Sequence, residues 1–297
     1  MVINILKAAR HFIFNKNAQK NFKNQSALNK VLRPFIAASF IQNRTSFIHI
    51  FSYLSGAFRQ HQKLRILAHH YTFLSATFSQ NQLRNLFFTG IDCYIDFDAE
   101  NKYSVVLSFS SMLEFEGSLS LIYKVNNAEI AHLSFSIAPG DLFDIDDDNV
   151  LFIACLQKNG ALQSSINMAT KHFKDIDPAR ILMKVLESLA DTLSISTCIG
   201  VSAANQLTAI KHSTVEKFSS IYDELWIENG GILKNGDYII SLPLPQKSLL
   251  AIKQTHRNRA IKKRGRLLEI YNSVHQNMQR NLLKSNDLII YPLNRAS

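Results

Sequence analysis

The sequence predicts an α+β fold in three parts: a basic helical N-terminal region, a mixed sheet flanked by helices, and a basic C-terminal helix. Three observations predict it. Apolar residues recur at helical spacing in the first 90 residues. From Gly90 the period switches to two and holds through four consecutive segments. After about residue 160, helical and strand-like segments alternate. The corresponding regions are 1–90, 91–250 and 251–297.

In the first region Pro34 and Asn43-Arg44-Thr45 punctuate the helices. Ile48, Phe51 and Leu54 mark one helical face, and Leu64, Leu67, His70, Tyr71 and Leu74 mark the next, with Gly56 at the turn between them. Then Cys93, Ile95 and Phe97 alternate with Asp92, Tyr94 and Asp96. Strands follow at Val105–Phe109, Leu119–Tyr123 and Leu133–Ile137, the last two joined by an Asn126-Asn127 turn. The continuous apolar stretch Val150–Leu156 reads as a strand buried on both faces.

Residues 161–173 read as a helix. Asp177-Pro178 starts another, with a carboxylate cap and proline in the first turn, and Ile181, Leu182, Val185, Leu186 and Leu189 form its buried face. Ile195, Thr197, Ile199 and Val201 alternate as a strand. Ser213-Thr-Val-Glu216 has the form of a capping box, ahead of a face of Val215, Phe218, Tyr222, Leu225 and Trp226. Asn235-Gly236 signals a hairpin. The last helix carries Leu267, Ile270, Tyr271, Val274 and Met278.

Composition narrows the function classes. Ten Gly, six Pro and three Cys exclude collagen, mucin-like and disulfide-rich chains. No apolar run approaches the roughly 18 residues that span a bilayer. Lys7 and Arg10 break the early apolar residues, which does not fit a secretory signal. Cys93, Cys155 and Cys198 lie far apart in apolar segments and suit buried thiols in a reducing cytosol. The expected localisation is cytoplasmic or peripheral at the inner membrane.

The net charge of +10 is unevenly laid out. Residues 1–91 hold 12 basic and no acidic side chains, residues 92–250 hold 11 basic and 21 acidic, and residues 251–297 hold 10 basic and 2 acidic. Opposite charges attract, so head and tail are expected to dock on the acidic middle and leave a cationic surface. An anionic lipid surface, a phosphorylated cofactor or an acidic carrier protein would suit that surface. The run Arg257, Arg259, Lys262, Lys263, Arg264, Arg266 has no interleaved aromatics and no known nucleic-acid motif, which disfavours nucleic acid.

Few residues point to chemistry. A strand ending in Gln157-Lys158-Asn159-Gly160-Ala161, ahead of a helix, offers backbone N–H groups to a pyrophosphate; an ordinary strand-to-helix turn has the same pattern. Tyr222 fits a core tyrosine beside Phe218 and Trp226. Glu114 and Glu116 share a face and are candidates for a general base or a plain hairpin edge. His69 and His70 are adjacent and point apart, so no metal pair forms, and His70 fits a hydrogen-bonded core histidine. Asp141, Asp144, Asp146, Asp147 and Asp148 lack the glycine and glutamate of a calcium loop. They fit a solvated acidic loop able to pair with the basic tail.

Two resemblances follow from these residues. The element order, with Gln157 and Gly160 after the buried strand, resembles the acetyltransferase superfamily known as GNAT. There the loop holds acyl-coenzyme A phosphates and a tyrosine in the region of Tyr222 protonates the leaving thiolate. Leu162 departs from the small residue usual in that loop. The chain as a whole resembles the bacterial VirK/YbjX family. The resemblance rests on His69-His70-Tyr71-Thr-Phe73-Leu74, Glu116-Gly117-x-Leu119-x-Leu121, Leu133-Ser134-Phe135-Ser136, Leu156-Gln157 and Asp177-Pro178-x-x-Ile181-Leu182. It continues through Gly200-Val201-Ser202, Tyr222-Asp223-x-x-Trp226-x-Glu228-x-Gly230-Gly231 and the basic run. Lys158-Asn159 stand before Gly160 where the family has glycine directly after Leu-Gln. The resemblance implies a role in envelope properties or virulence, including resistance to cationic antimicrobial peptides. Two readings stay open. One is an acyltransferase using acyl-CoA or acyl carrier protein, with Tyr222 and Glu116 catalytic, residues 157–161 on the cofactor and no metal. The other is a non-enzymatic peripheral membrane or partner-binding factor.

Overall fold

The structure, a computed structural model, describes residues 53–110 and 116–283. The segments around Pro34, Asn43-Arg44-Thr45, Ile48 and Phe51, and Glu114, lie outside these residues. The fold is α+β: the described residues form seven helices and one eight-stranded mixed sheet packed against helices. Helix α1 (Gln60–Thr77) buries Leu67, His70, Tyr71 and Leu74 of the predicted stripe, together with Ile66, while Leu64 is only half-buried. Helix α2 (Gln80–Phe88) starts at a Ser79–Gln82 capping box. Leu54 belongs to no helix; its φ is +61° in a bend before α1.

Strands β1 (Ile91–Phe97), β2 (Lys102–Phe109), β3 (Leu119–Val125), β4 (Ala128–Ala138) and β5 (Val150–Lys158) form an antiparallel meander. Asn126 and Asn127 both take positive φ, as a two-residue hairpin of matching twist requires. The stretch Val150–Leu156 is buried throughout. In β1 the pairing slips between Asp92 and Tyr94. A slip of one residue reverses every later side chain. Ile95 and Phe97 therefore stand 38% and 64% exposed, while Tyr94 is buried and Asp96 is half-buried. The alternation predicted the opposite.

After β5 come a short 3-10 turn (Gly160–Leu162), α3 (Gln163–His172) and α4 (Pro178–Thr192). The Asp177 carboxylate accepts the Ala179 N–H at 2.8 Å, and proline fills the first helical position. Ile181, Leu182, Val185, Leu186 and Leu189 are buried on the sheet, each worth about 1.5–3 kcal/mol relative to exposure. Strand β6 (Thr197–Gly200) runs parallel to β5, the one parallel pair among the described residues. Helix α5 (Leu207–His212), which the periodicity does not show, precedes α6 (Val215–Glu228). Ser213 ends α5 in the left-handed region, so the predicted capping box does not form. The hairpin β7 (Ile232–Lys234) and β8 (Asp237–Ser241) turns at Asn235-Gly236, giving the sheet order β1-β2-β3-β4-β5-β6-β8-β7.

Helix α7 (Gln254–Leu283) contains the basic run rather than following it. It packs on α4 and β1 through Ile270, Val274 and Met278. Arg266 pairs with Asp96 and lies 5.0 Å over the Phe173 ring, Arg259 pairs with Asp175 at 2.8 Å, and Tyr271 donates to Asp191 at 2.7 Å. The basic tail therefore docks on acidic groups of the middle region. Among the described residues the aspartate loop pairs elsewhere. Asp141 takes Arg65 of α1, Asp147 accepts from Ser196 and Thr197, and Asp144 accepts from Lys234 on its carbonyl and from Asn235 on its carboxylate. These bonds tie the loop to α1 and to the β6 and β7 ends, whereas pairing with the tail was predicted. No helix among the described residues is long and apolar enough to cross a membrane.

Candidate functional site

Strands β5 and β6 pair at Leu151–Cys198, Phe152–Ile199 and Ile153–Gly200, with a last Val201 N–H to Ile153 bond of 3.0 Å. β6 stops there while β5 continues to Lys158. The parting strands leave a notch with unpaired backbone groups on both sides. Two side chains of α6 fill it. The Leu156 N–H donates to the Tyr222 hydroxyl oxygen at 3.1 Å, and the Trp226 indole N–H donates to the Val201 carbonyl at 2.7 Å. Gly200 makes room for the indole: a Cβ there would meet the ring at 2.5 Å. Both side chains are fully buried, and burial pushes the Tyr222 phenol well above its ordinary range.

The other candidate residues lie apart. Glu116 is buried, and one carboxylate oxygen accepts from the Gln206 side chain at 2.6 Å, the Thr208 N–H at 3.0 Å and the Thr208 hydroxyl. Those donors tie it to the start of α5. His70 accepts the Ile137 N–H on Nδ1 at 3.0 Å, the hydrogen-bonded core histidine its position predicts. In the loop 157–161, Lys158 pairs with Asp177 at 2.9 Å, the Asn159 side chain accepts the Ala161 N–H, and the Leu162 N–H returns to the Asn159 carbonyl. Four of its polar groups are thus already engaged. Gly160 stands in open space, with nothing within 4 Å of a Cβ. Gln157, Lys158, Asn159, Gly160 and Ala161 line neither of the two cavities described next.

One cavity, of about 150 Å³, lies between Phe58, Phe143, Ile199 and the β7–β8 turn. The larger, of about 350 Å³, opens between α4, α6, the segment 244–252 and the first half of α7. That size falls at the low end of ligand pockets, about 300–1,000 Å³. Met183 is buried in it, and Leu225, Leu244, Ile252 and Leu267 are half-buried. Around this apolar lining stand Arg180, Lys184, Lys247, Lys263 and Arg264, against the single carboxylate of Glu228.

Among the described residues, Lys263 and Arg264 form no ion pair with a carboxylate. Lys184 pairs with Glu187 at 2.6 Å, but Lys263 donates to the Asp175 carbonyl at 2.5 Å and Arg264 to the Lys247 carbonyl. Burial and the neighbouring Arg259 and Arg180 charges hold the Lys263 ammonium below its ordinary range, outweighing Asp175. An anion would relieve that repulsion. The basic run signalled Lys263 and Arg264. Arg180 and Lys247 carried no local signal, because four separated segments build the groove.

No curated protein and no solved structure matches the chain. The family comparison does match, over almost the whole length, and includes the sheet, the notch and the groove. Across residues 4–279 the chain fits the profile described as protein of unknown function DUF535, the VirK/YbjX family, and it belongs to that family.

Proposed function

We propose that this chain is a binding factor for anionic amphiphiles, acting on envelope composition or on proteins at the envelope surface. The observation that carries the reading is the groove between α4, α6 and α7, where five cations ring an apolar lining. Apolar chains prefer the lining, and a phosphate or carboxylate prefers the cations. The notch does not compete, because Tyr222 and Trp226 occupy it.

Titration with dodecyl phosphate, dodecyl maltoside and inorganic phosphate tests this. Dodecyl phosphate is expected to bind, and to bind best at low salt, since screening weakens exposed charge pairs. The Lys247→Glu/Arg264→Glu variant is expected to lose that binding. Equal affinity for the phosphate and maltoside detergents would remove the anion site, and equal affinity for inorganic phosphate would remove the apolar one.

The strand order and its single parallel pair favour a second reading: acyl transfer from acyl-CoA or acyl carrier protein, with Tyr222 as proton donor, Glu116 as base and residues 157–161 on the phosphates. It requires α6 to withdraw two side chains from the notch. Thermal stabilisation by an acyl-CoA, lost in Gly160→Glu, would support it, and absence of stabilisation by any acyl-CoA or acyl carrier protein counts against it.

A further inference from the structure

A β-bulge and the β4–β5 register bring three reactive side chains to one face of the sheet. On β4 the pairing slips at Ile130, since Tyr123 faces Ala131 while Lys124 faces Glu129. On β5 it slips at Ala154, since Ser134 faces Cys155 while Phe135 faces Ile153. In regular strands residues three apart point to opposite faces. The bulge at Ile130 puts Glu129 and His132 together, and Cys155 shares their face because His132 faces Gln157 and Ser134 faces Cys155 in unbroken register. The Cys155 sulfur lies 3.7 Å from His132 Nε2, and His132 Nδ1 lies 2.8 Å from a Glu129 carboxylate oxygen.

This is the order nucleophile, base, orienting carboxylate. With Glu129 accepting, Nδ1 carries the proton and Nε2 turns its lone pair to the thiol. The Tyr222 hydroxyl adjoins the same sulfur. Among the described residues, Cys93 and Cys198 have no such base. Burial pushes the Cys93 thiol up to about 12 and raises Cys198 still further. Cys155 is 2% exposed, the His132 side chain 14% and Glu129 45%, so the constellation runs from interior to surface.

We propose that Cys155, His132 and Glu129 form an acyl-accepting thiol site whose substrate class is an acyl thioester. His132 Nε2 takes the thiol proton, and the thiolate attacks the thioester carbonyl carbon. The new sulfur–carbon bond forms at Cys155, the donor carbon–sulfur bond breaks, and the donor sulfur leaves as a thiol with the proton from His132. One thioester replaces another, so the step needs no oxidant, reductant or metal. The burial of Cys155 keeps water from the acylated product, which suits an acyl relay better than a hydrolase. The proposal stands apart from the groove reading, since neither Cys155, His132 nor Glu129 lines the groove.

The full chain is incubated with phenyl thioacetate, and acetylation of each cysteine is read by peptide mass spectrometry. Cys155 is expected to acquire the acetyl group about 100-fold faster than Cys93 or Cys198, within the range a positioned base supplies. His132→Gln should abolish that advantage. Glu129→Gln, at a half-exposed position and so tolerated by the fold, should slow it and alter its pH profile. Acetylation of Cys155 no faster than of the other two cysteines would overturn the proposal. So would an unchanged rate in Glu129→Gln together with an unchanged rate in a natively melting His132→Gln.

Discussion

Replacing Tyr222 by phenylalanine removes one oxygen from the notch between β5 and β6 and keeps its shape. The Leu156 N–H then loses the acceptor it holds at 3.1 Å. Tyr222 is 1% exposed and Leu156 is buried, so water does not replace the lost partner. Leaving a buried backbone N–H unpaired costs about 1–3 kcal/mol. For a chain of this size each kcal/mol lowers Tm by about 2–4 °C, so the expected fall is about 2–12 °C. Packing is conserved, because the phenyl ring keeps its contacts with Phe218 and Trp226. Thermal denaturation measures the loss. Amide hydrogen exchange at Leu156 locates it: slow in the parent chain, faster in the variant, with Ile153 unaffected. An unchanged Tm with fast exchange at Leu156 in both proteins would mean that the notch is wet and open. The claim that it is closed would then fail, and the acyltransferase reading would regain its cleft.

Other expectations follow from single positions. Gly200→Ala drives a methyl to 2.5 Å from the Trp226 ring and should cost about 1–3 kcal/mol by denaturant unfolding. Gly160→Ala meets nothing and should stay within about 0.5 kcal/mol; a large loss there would show that the loop packs against something. At Asp96, burial raises the carboxyl pKa, but hydrogen bonds from His172 and the Phe97 N–H, with the Arg266 charge, outweigh it and hold it below its ordinary range. A lowered folded pKa gives stability that is full above the unfolded value of about 4 and is lost as pH falls through the folded one. Docking of α7 should therefore weaken in acid, and Asp96→Asn should flatten the melting-temperature profile below about pH 4; an unchanged acid limb would refute the assignment.

The fold was legible where local chemistry decides it. Asn126-Asn127 and Asn235-Gly236 adopt the positive φ their turns need, and Asp177-Pro178 caps α4 as its residues predict. It was illegible where pairing register decides. Nothing in Asp92-Cys93-Tyr94 announces the bulge that exposes Ile95 and Phe97 and turns Asp96 toward Arg266. Ser213 is taken by the end of α5, a short helix whose periodicity is too brief to read. The site was legible only in part. Tyr222 does reach the notch, but its bond to Leu156 depends on where β6 stops. The groove draws Arg180, Leu225, Lys247 and Arg264 from segments joined only by the fold. Alternation alone would separate Glu129 from His132, which meet through the bulge at Ile130, and Cys155 joins them only through the β4–β5 register.

Photo-crosslinking with a diazirine-bearing alkyl phosphate tests most directly where this protein takes its ligand. The account predicts adducts on the segments 244–252 and 260–267 and on the Met183 turn of α4, displaced by dodecyl phosphate and absent from Lys247→Glu/Arg264→Glu. Adducts confined to 153–161 and 222–226 would place the ligand in the notch instead and contradict it.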